Sequence, residues 1–440
     1  MNDSTSSISI RFLGPTPIRS WFLRWGLIVA EFGAVQVAVQ VFTALAGLLI
    51  VRSLAKPEYA LFAIANSMQM TCNLLAERGL GIGLRSIGGQ LCNDRRRFGE
   101  LLSTALGLRR RFAFMSFVIC LPLTAWMLWR NGAAPLQTIG LCLALVLGCL
   151  GGLGCSVWNV SPQLHGEYRR LQNLDLGNSA LRLTLLSALA LTRLSALLAA
   201  LVGVAGNWFQ AFYLRRWAQE RAELSLAPTL DHQRALGSLS ARWLPNVIFF
   251  SLQGQLTLLI ITVFGSVDQV ANMTALGRLA ILLTVVSQVY SQVLTPRFTR
   301  CQESARLRRL YLTLVGATAV GLLPLVGAAW IYPEPLLWLL GESYRELGQE
   351  CGWVIAAAYV GQIASVMWSL NSSKAWIRIQ SFAFIPAIVT AQAAAAMLLD
   401  LRQFHDLLIF NFVSAAAPLP AYMIDALLGL KILARKAASH

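Results

Sequence analysis

Two arginines, Arg182 and Arg278, stand inside long apolar stretches of this 440-residue chain, several residues from either end. A guanidinium at the centre of a bilayer costs roughly 2.5–3.5 kcal/mol on insertion scales, so each calls for an aqueous cavity or a partner. Guanidinium forks match phosphate oxygens in pairs, and the chemistry on offer is recognition of an anion. The other reading pairs them with Glu31, Glu77 or Asp425, acids within apolar stretches, as buried structural ion pairs. Polar residues recur around them at helical spacing. Gln36, Gln40 and Thr43 share one face of the first stretch, and Asn66, Gln69, Asn73 and Glu77 share one face of the second. Asn246, Gln253 and Thr257 follow by seven and four, and Thr274 and Gln292 fall within about 40° of Arg278. A polar side chain in lipid is costly unless it faces protein or water. The stripes therefore line a cavity or join neighbouring helices through hydrogen bonds.

The elements that must position these residues are membrane spans. Apolar runs lie near 26–51, 58–78, 112–130, 134–157, 174–192, 194–214, 243–265, 270–295, 310–332, 350–371, 376–399 and 405–430. Each is about 20 residues or more, enough to cross a hydrocarbon core of roughly 30 Å. The fold expected is all-α and integral to the membrane, with about twelve transmembrane helices. Basic residues fall on alternating connections. One side carries the triplets Arg95-Arg96-Arg97 and Arg109-Arg110-Arg111 with Arg169, Arg170, Arg215, Arg216, Arg297 and Arg300; the other holds only Arg52, Lys56, Arg130, Arg193, Arg345 and Arg402. Basic loops resist translocation, so both termini are expected in the cytoplasm.

Composition points the same way: 56% of residues are hydrophobic and 13% charged, unlike a soluble domain of this length. The formal charge of +16 sits in short loops on one side, where topology explains it without nucleic acid. The first apolar run is too long for a signal-peptide core and reads as a retained helix. The cysteines form no CxxC pair or Cys/His cluster, and His165, His232, His405 and His440 lie far apart. No Ser/His/Asp arrangement or nucleotide-binding loop appears, so no catalytic residue, metal or cofactor is expected. Gly148, Gly151, Gly152 and Gly154 read as close helix contacts. Phe98–Arg111 reads as an interfacial extension with its arginines among head groups.

The hydrophilic interruption near 215–242 divides the spans six and six. The expected organisation is a cytoplasmic tail (1–25), an N-terminal six-helix lobe (26–220), a linker (221–241), a second six-helix lobe (242–430) and a cytoplasmic tail (431–440). Ile50–Ala60 and Ile261–Ala271 occupy corresponding connections in the two halves, which fits an internal repeat. Arg52-Ser53-Leu54-Ala55-Lys56-Pro57-Glu58-Tyr59-Ala60-Leu61-Phe62-Ala63, then Ala76-Glu77-Arg78-Gly79-Leu80 and Arg85, resemble the opening of bacterial polysaccharide flippases. Those flippases belong to the multidrug/oligosaccharidyl-lipid/polysaccharide exporter superfamily. Ala55 and Ala60 stand where that pattern commonly has glycine. Leu294-Thr295-Pro296-Arg297 and Leu340-Gly341-Glu342-Ser343-Tyr344 extend the resemblance along the chain.

The resemblance implies two lobes rocking about a central cavity lined by the first, second, seventh and eighth spans. The substrate expected is a polyprenyl-pyrophosphate-linked oligosaccharide, carried across a bacterial inner membrane for surface or exopolysaccharide synthesis. Arg278, Arg182 and Arg85 would hold pyrophosphate. Gln36, Gln40, Asn66, Asn73, Asn246, Gln253 and Gln292 would bond sugar hydroxyls. Glu31, Glu77 or Asp425 would couple a proton or Na⁺ gradient. Membrane lipid, a polysaccharide polymerase and glycosyltransferases are the expected partners. Two rivals stand beside this: a drug/cation antiporter of the same superfamily, favouring acidic and aromatic cavity residues, and a membrane polymerase or ligase, which needs a larger outer loop.

Overall fold

The computed structural model describes residues 18–438 other than 193, 281–282, 284–293, 296–297, 299–303, 375 and 377–379. Side chains of residues 18–33, of Asn246 and of some other helical positions are also outside the described set. The expectations for Gln292, and for the side chains of Glu31 and Asn246, fall there.

Every regular element among the described residues is helical. The first half runs α1 (Ile18–Ser53), α2 (Lys56–Glu77), α3 (Leu80–Leu91), α4 (Arg95–Arg130), α5 (Pro135–Trp158), α6 (Val160–Leu164), α7 (Tyr168–Ala190) and α8 (Ala196–Arg221). The second half runs α9 (Leu230–Phe264), α10 (Val267–Leu279), α11 (Ser304–Ile331), α12 (Glu334–Leu340), α13 (Gly348–Ser373), α14 (Gln380–Leu398), α15 (Phe404–Ala416) and α16 (Leu419–Ala438). Seven described helical segments are long and apolar enough to cross a membrane. The protein is a multi-pass membrane protein.

Local sequence sets the joints. Pro57 opens α2, where its missing N–H is no loss. Asp94 caps α4, accepting from the backbone N–H of Arg96 at 3.0 Å and Arg97 at 3.2 Å. Ser266 and Gln269 form a capping box at α10. Between α2 and α3 the chain turns through two left-handed residues, Arg78 (φ 43°) and Gly79 (φ 74°), and glycine takes the second without steric cost. The two segments that look alike in sequence both hold a two-residue break, at 54–55 and at 265–266.

Exposure along the spans follows helical period. On α4, Phe114, Met115, Val118 and Ile119 are exposed while Ala113, Ser116 and Cys120 are buried. An exposed apolar stripe on a helix of this kind is a lipid-facing surface. The largest core joins both halves, from Val51, Tyr59 and Ile64 to Ile261, Leu276, Tyr344 and Leu407.

One expectation changes. The third span is the second half of a longer helix: α4 has 36 residues, about 54 Å at 1.5 Å each, well beyond a hydrocarbon core. Phe98–Arg111, expected as an interfacial extension, is the first half of that helix with its apolar face buried in protein. Phe98, Leu101, Leu102 and Ala105 pack into a second core with Leu80, Leu84 and Leu236. Arg109 is 3% exposed; only Arg110 and Arg111 face outward. The 221–241 connection is likewise fastened down. Glu223 N–H donates to the Arg95 carbonyl at 3.1 Å, and Thr229 N–H donates to the Thr104 hydroxyl at 3.1 Å. Helix resumes at Leu230, inside the expected linker. The last span, expected near 405–430, is matched by an apolar segment over Phe404–Lys431 with a turn at Ala417-Pro418, where Pro418 has no N–H to donate to the Ser414 carbonyl.

Candidate functional site

A chamber of about 150 Å³ lies among α1, α2, α5, α7, α8 and α10. Its polar lining is Thr43, Asn66, Gln69, Asn178, Ser179, Arg182 and Arg278, and no carboxylate is among its described lining residues. Apolar residues such as Phe62, Leu141, Leu145 and Leu186 complete the wall.

Arg182 reaches this chamber from α7. Its terminal nitrogen donates to the side-chain oxygen of Asn207 at 2.7 Å and to the carbonyl of Gly203 at 3.3 Å, both on α8. Its Nε is buried without a hydrogen-bond partner, so the fork keeps a donor unused by protein. Gly206 makes the room: a Cβ there would lie 2.4 Å from Arg182 Nε and 2.7 Å from Asn178 Oδ1. Arg278 comes from the other half of the chain. Its Nε donates to the Tyr59 hydroxyl at 3.4 Å, and its stem runs beside Gly47 of α1. Two guanidinium groups from opposite halves thus share one cavity. Among the described residues, the hydrogen bonds of these two arginines go to an amide, a carbonyl and a phenol.

The polar stripe on α2 divides. Asn66 and Gln69 line the chamber, whereas Asn73 turns to α5 and accepts from the Cys149 thiol at 3.1 Å. Glycines on α5 permit both. A Cβ at Gly148 would lie 2.2 Å from Gln69 Nε2, and one at Gly152 would lie 3.1 Å from Asn73 Oδ1. Beside the stripe, the Ser67 hydroxyl donates to Gln255 Oε1 at 2.8 Å and the Gln255 amide donates back to the Ser67 carbonyl at 3.3 Å. That reciprocal pair fastens α2 to α9.

A second cavity, about 390 Å³, opens toward the end that carries the basic connections. Gln36, Arg85, Asn159, Gln163, Tyr168, Gln172 and Asp175 line it. At its rim, outside the expected spans, Arg170 pairs with Glu167 at 3.0 Å and Glu220 at 3.1 Å, and Arg221 pairs with Glu167 at 2.7 Å. The hydrogen bond from Arg170 to Glu220 is the largest influence holding the Arg170 pKa above its ordinary value.

No protein-family model and no curated protein matches this chain. Solved structures do share its architecture. An inward-facing multidrug resistance MATE family transporter of the MOP superfamily superposes with a TM-score of 0.68, at 13% identity, over 92% of this chain and 99% of its own. The eukaryotic MATE transporter AtDTX14 gives 0.60 at 14% identity, over 94% of this chain and 98% of its own. An outward-facing MATE family transporter of the MOP superfamily gives 0.56 at 12% identity, over 92% and 94%. The fold is that of the MATE transporters.

Within this MATE fold, the expected site residues separate into groups. Arg182, Arg278 and Asn66 meet in the chamber, and Gln36 and Arg85 meet in the second cavity. Gln40, Asn73 and Gln253 are half-buried and line neither cavity. Glu77 sits beside Gly81, where its charge acts on buried Arg109. Asp425 is buried on α16, away from both cavities.

Sequence reading missed Asn178, Ser179 and Asp175, although each lies three, four or seven residues before Arg182 and so shares its helical face. Asn207 and Gln255 carried no such signal. Each acquires its role only because another helix packs against it.

Proposed function

We propose that this protein is a transporter working by alternating access, and that its cargo is a polyprenyl-pyrophosphate-linked oligosaccharide moved across a bacterial inner membrane. The observation that carries this reading is the charge of the chamber. Two arginines line it, and its described lining holds no acid. A cavity of that sign attracts phosphate oxygens, and the guanidinium fork adds bidentate geometry to the charge. The amides of Asn66, Gln69 and Asn178 beside the arginines suit the hydroxyl groups next to a pyrophosphate. The lipid tail would stay in the bilayer, against the apolar outer faces of the helices. A proton or Na⁺ gradient would drive the cycle, with Glu31, Glu77 or Asp425 as coupling carboxylates. Glycosyltransferases would supply the cargo and a polymerase would consume it.

The second reading is a drug/cation antiporter. It is favoured by the solved structures with this fold, two of which are described as multidrug resistance transporters. The absence of an acid among the chamber's described lining weighs against it, because a cationic drug gains nothing from two fixed guanidinium groups. Deleting the gene and extracting lipid-linked oligosaccharides from oriented vesicles tests the choice. Complete repeat units should accumulate on the cytoplasmic leaflet. Intact surface glycan with altered toxin sensitivity would instead establish the antiporter, and accumulation on the outer leaflet would reject translocation of the glycan.

A further inference from the structure

We infer that the second cavity is a saccharide-binding subsite, which reads the sugar portion of the cargo while the chamber holds its pyrophosphate. The inference rests on the proposed cargo for its biological meaning, but the cavity's chemistry stands on its own.

That chemistry differs from the chamber's. One guanidinium, Arg85, and one carboxylate, Asp175, offset each other, and four amides surround them: Gln36, Asn159, Gln163 and Gln172. A cavity with balanced charge and several amides suits a neutral, hydroxyl-rich ligand, since an amide carries both a carbonyl acceptor and an NH₂ donor. It suits neither a free anion nor a cation. Tyr168, more than half exposed at the cavity wall, offers a flat apolar face for a sugar ring. Two details show pre-organisation. Gln210 donates to Asp175 Oδ1 at 2.8 Å and fixes the carboxylate. Asn159 Oδ1 is buried with no hydrogen-bond partner, an acceptor that a ligand hydroxyl would satisfy.

The two cavities are joined by the helices that build them. On α7, Gln172 and Asp175 line the second cavity, while Asn178, Ser179 and Arg182 line the chamber. On α1, Gln36 lines the one and Thr43 the other. Along α7, Asp175 is three residues from Asn178 and seven from Arg182, and along α1 Gln36 is seven from Thr43, so the two linings lie about 5–10 Å apart along the helices. A pyrophosphate and its first sugars can bridge that distance. The packed seam between α1 and α7 thereby offers an anion site and a neutral polyol site in series.

The test uses the full-length protein in lipid nanodiscs and two kinds of probe. One is a panel of fluorescently labelled neutral oligosaccharides, including hexose and N-acetylhexosamine trimers. The other is farnesyl pyrophosphate, which carries the anion and no sugar. Gln172→Ala and Asp175→Asn should each weaken the best-binding oligosaccharide at least tenfold and leave farnesyl pyrophosphate unchanged, which also certifies the fold. Arg182→Ala should do the reverse. If no oligosaccharide in the panel binds, or if both cavity variants bind it like the wild type, the saccharide subsite is wrong, whatever farnesyl pyrophosphate does. If oligosaccharide binding depends on Gln172 and Asp175 while farnesyl pyrophosphate does not bind, the subsite stands and the pyrophosphate reading of the chamber fails.

Discussion

The Nε of Arg52, at the end of α1, donates to the carbonyl of Leu339 at 2.9 Å, 287 residues further along the chain. The same guanidinium bonds the Trp338 carbonyl and lies 4.7 Å from the centre of the Trp338 ring. These carbonyls belong to the last turn of α12, where a cation is favoured; the Gly341 N–H also donates to that of Trp338, at 3.3 Å. Lys56 over Tyr344 and Arg130 at the carbonyl of Val263 join the two halves nearby. The contacts gather away from the basic connections.

Removing this clasp should favour opening at that end. Spin labels at Ser53→Cys and Glu342→Cys, in a cysteine-free background, should move apart and broaden in distance when Arg52→Ala is added. Lysine at 52 should restore the distance only in part, because one ammonium cannot span two carbonyls and stack on an indole as the planar fork does. An unchanged distance distribution would show that the clasp does not hold the ends together.

Arg278→Ala and Arg182→Ala should each reduce glycan export strongly at matched protein level. Lysine at either position should rescue partly, since it supplies charge without a bidentate fork. The measurement is surface glycan normalised to membrane-inserted protein. Normal export from either alanine variant would remove that arginine from the cargo site.

Two glycines on α4 should behave oppositely. A Cβ at Gly99 would lie 2.2 Å from the backbone oxygen of Glu223, whereas one at Gly107 meets nothing within 4 Å. Gly99→Ala should therefore destabilise by about 1–3 kcal/mol, as overpacking does, by pushing the 221–229 strap off α4. Gly107→Ala should be neutral or stabilise by up to about 1 kcal/mol through helix propensity. Thermal melting of the purified variants in one detergent makes the comparison.

Reporter fusions test orientation. Fusions after Arg52, Arg130, Asp268, Glu342 and Arg402 should report the outer side, and those after Arg97, Arg170, Arg221, Arg306 and Lys374 the cytoplasm. A reproducible reversal in either half would reject the arrangement with both ends inside.

The sequence by itself determined the class of this protein, because the properties that decide class are local. Apolar length marks the spans, proline and capping residues mark their ends, and helical period shows that Gln36 and Thr43, or Asp175 and Arg182, share a face. Even the two arginines of the chamber stood out, since a charge within an apolar run needs a reason. Tertiary structure decided what each face meets. Asn66 and Asn73 lie on one stripe, yet one lines the chamber and the other binds Cys149, because α5 presents Gly152 beside the second. Arg109 sits in a basic triplet that reads as a head-group anchor, and it is buried where the charge of Glu77, 32 residues before it in sequence, acts on it. Arg182 and Arg278 share a cavity only because α10 crosses to α1 and α2. Helical period is written along one chain segment; which two segments touch is set by how all of them pack, and no single segment carries that information.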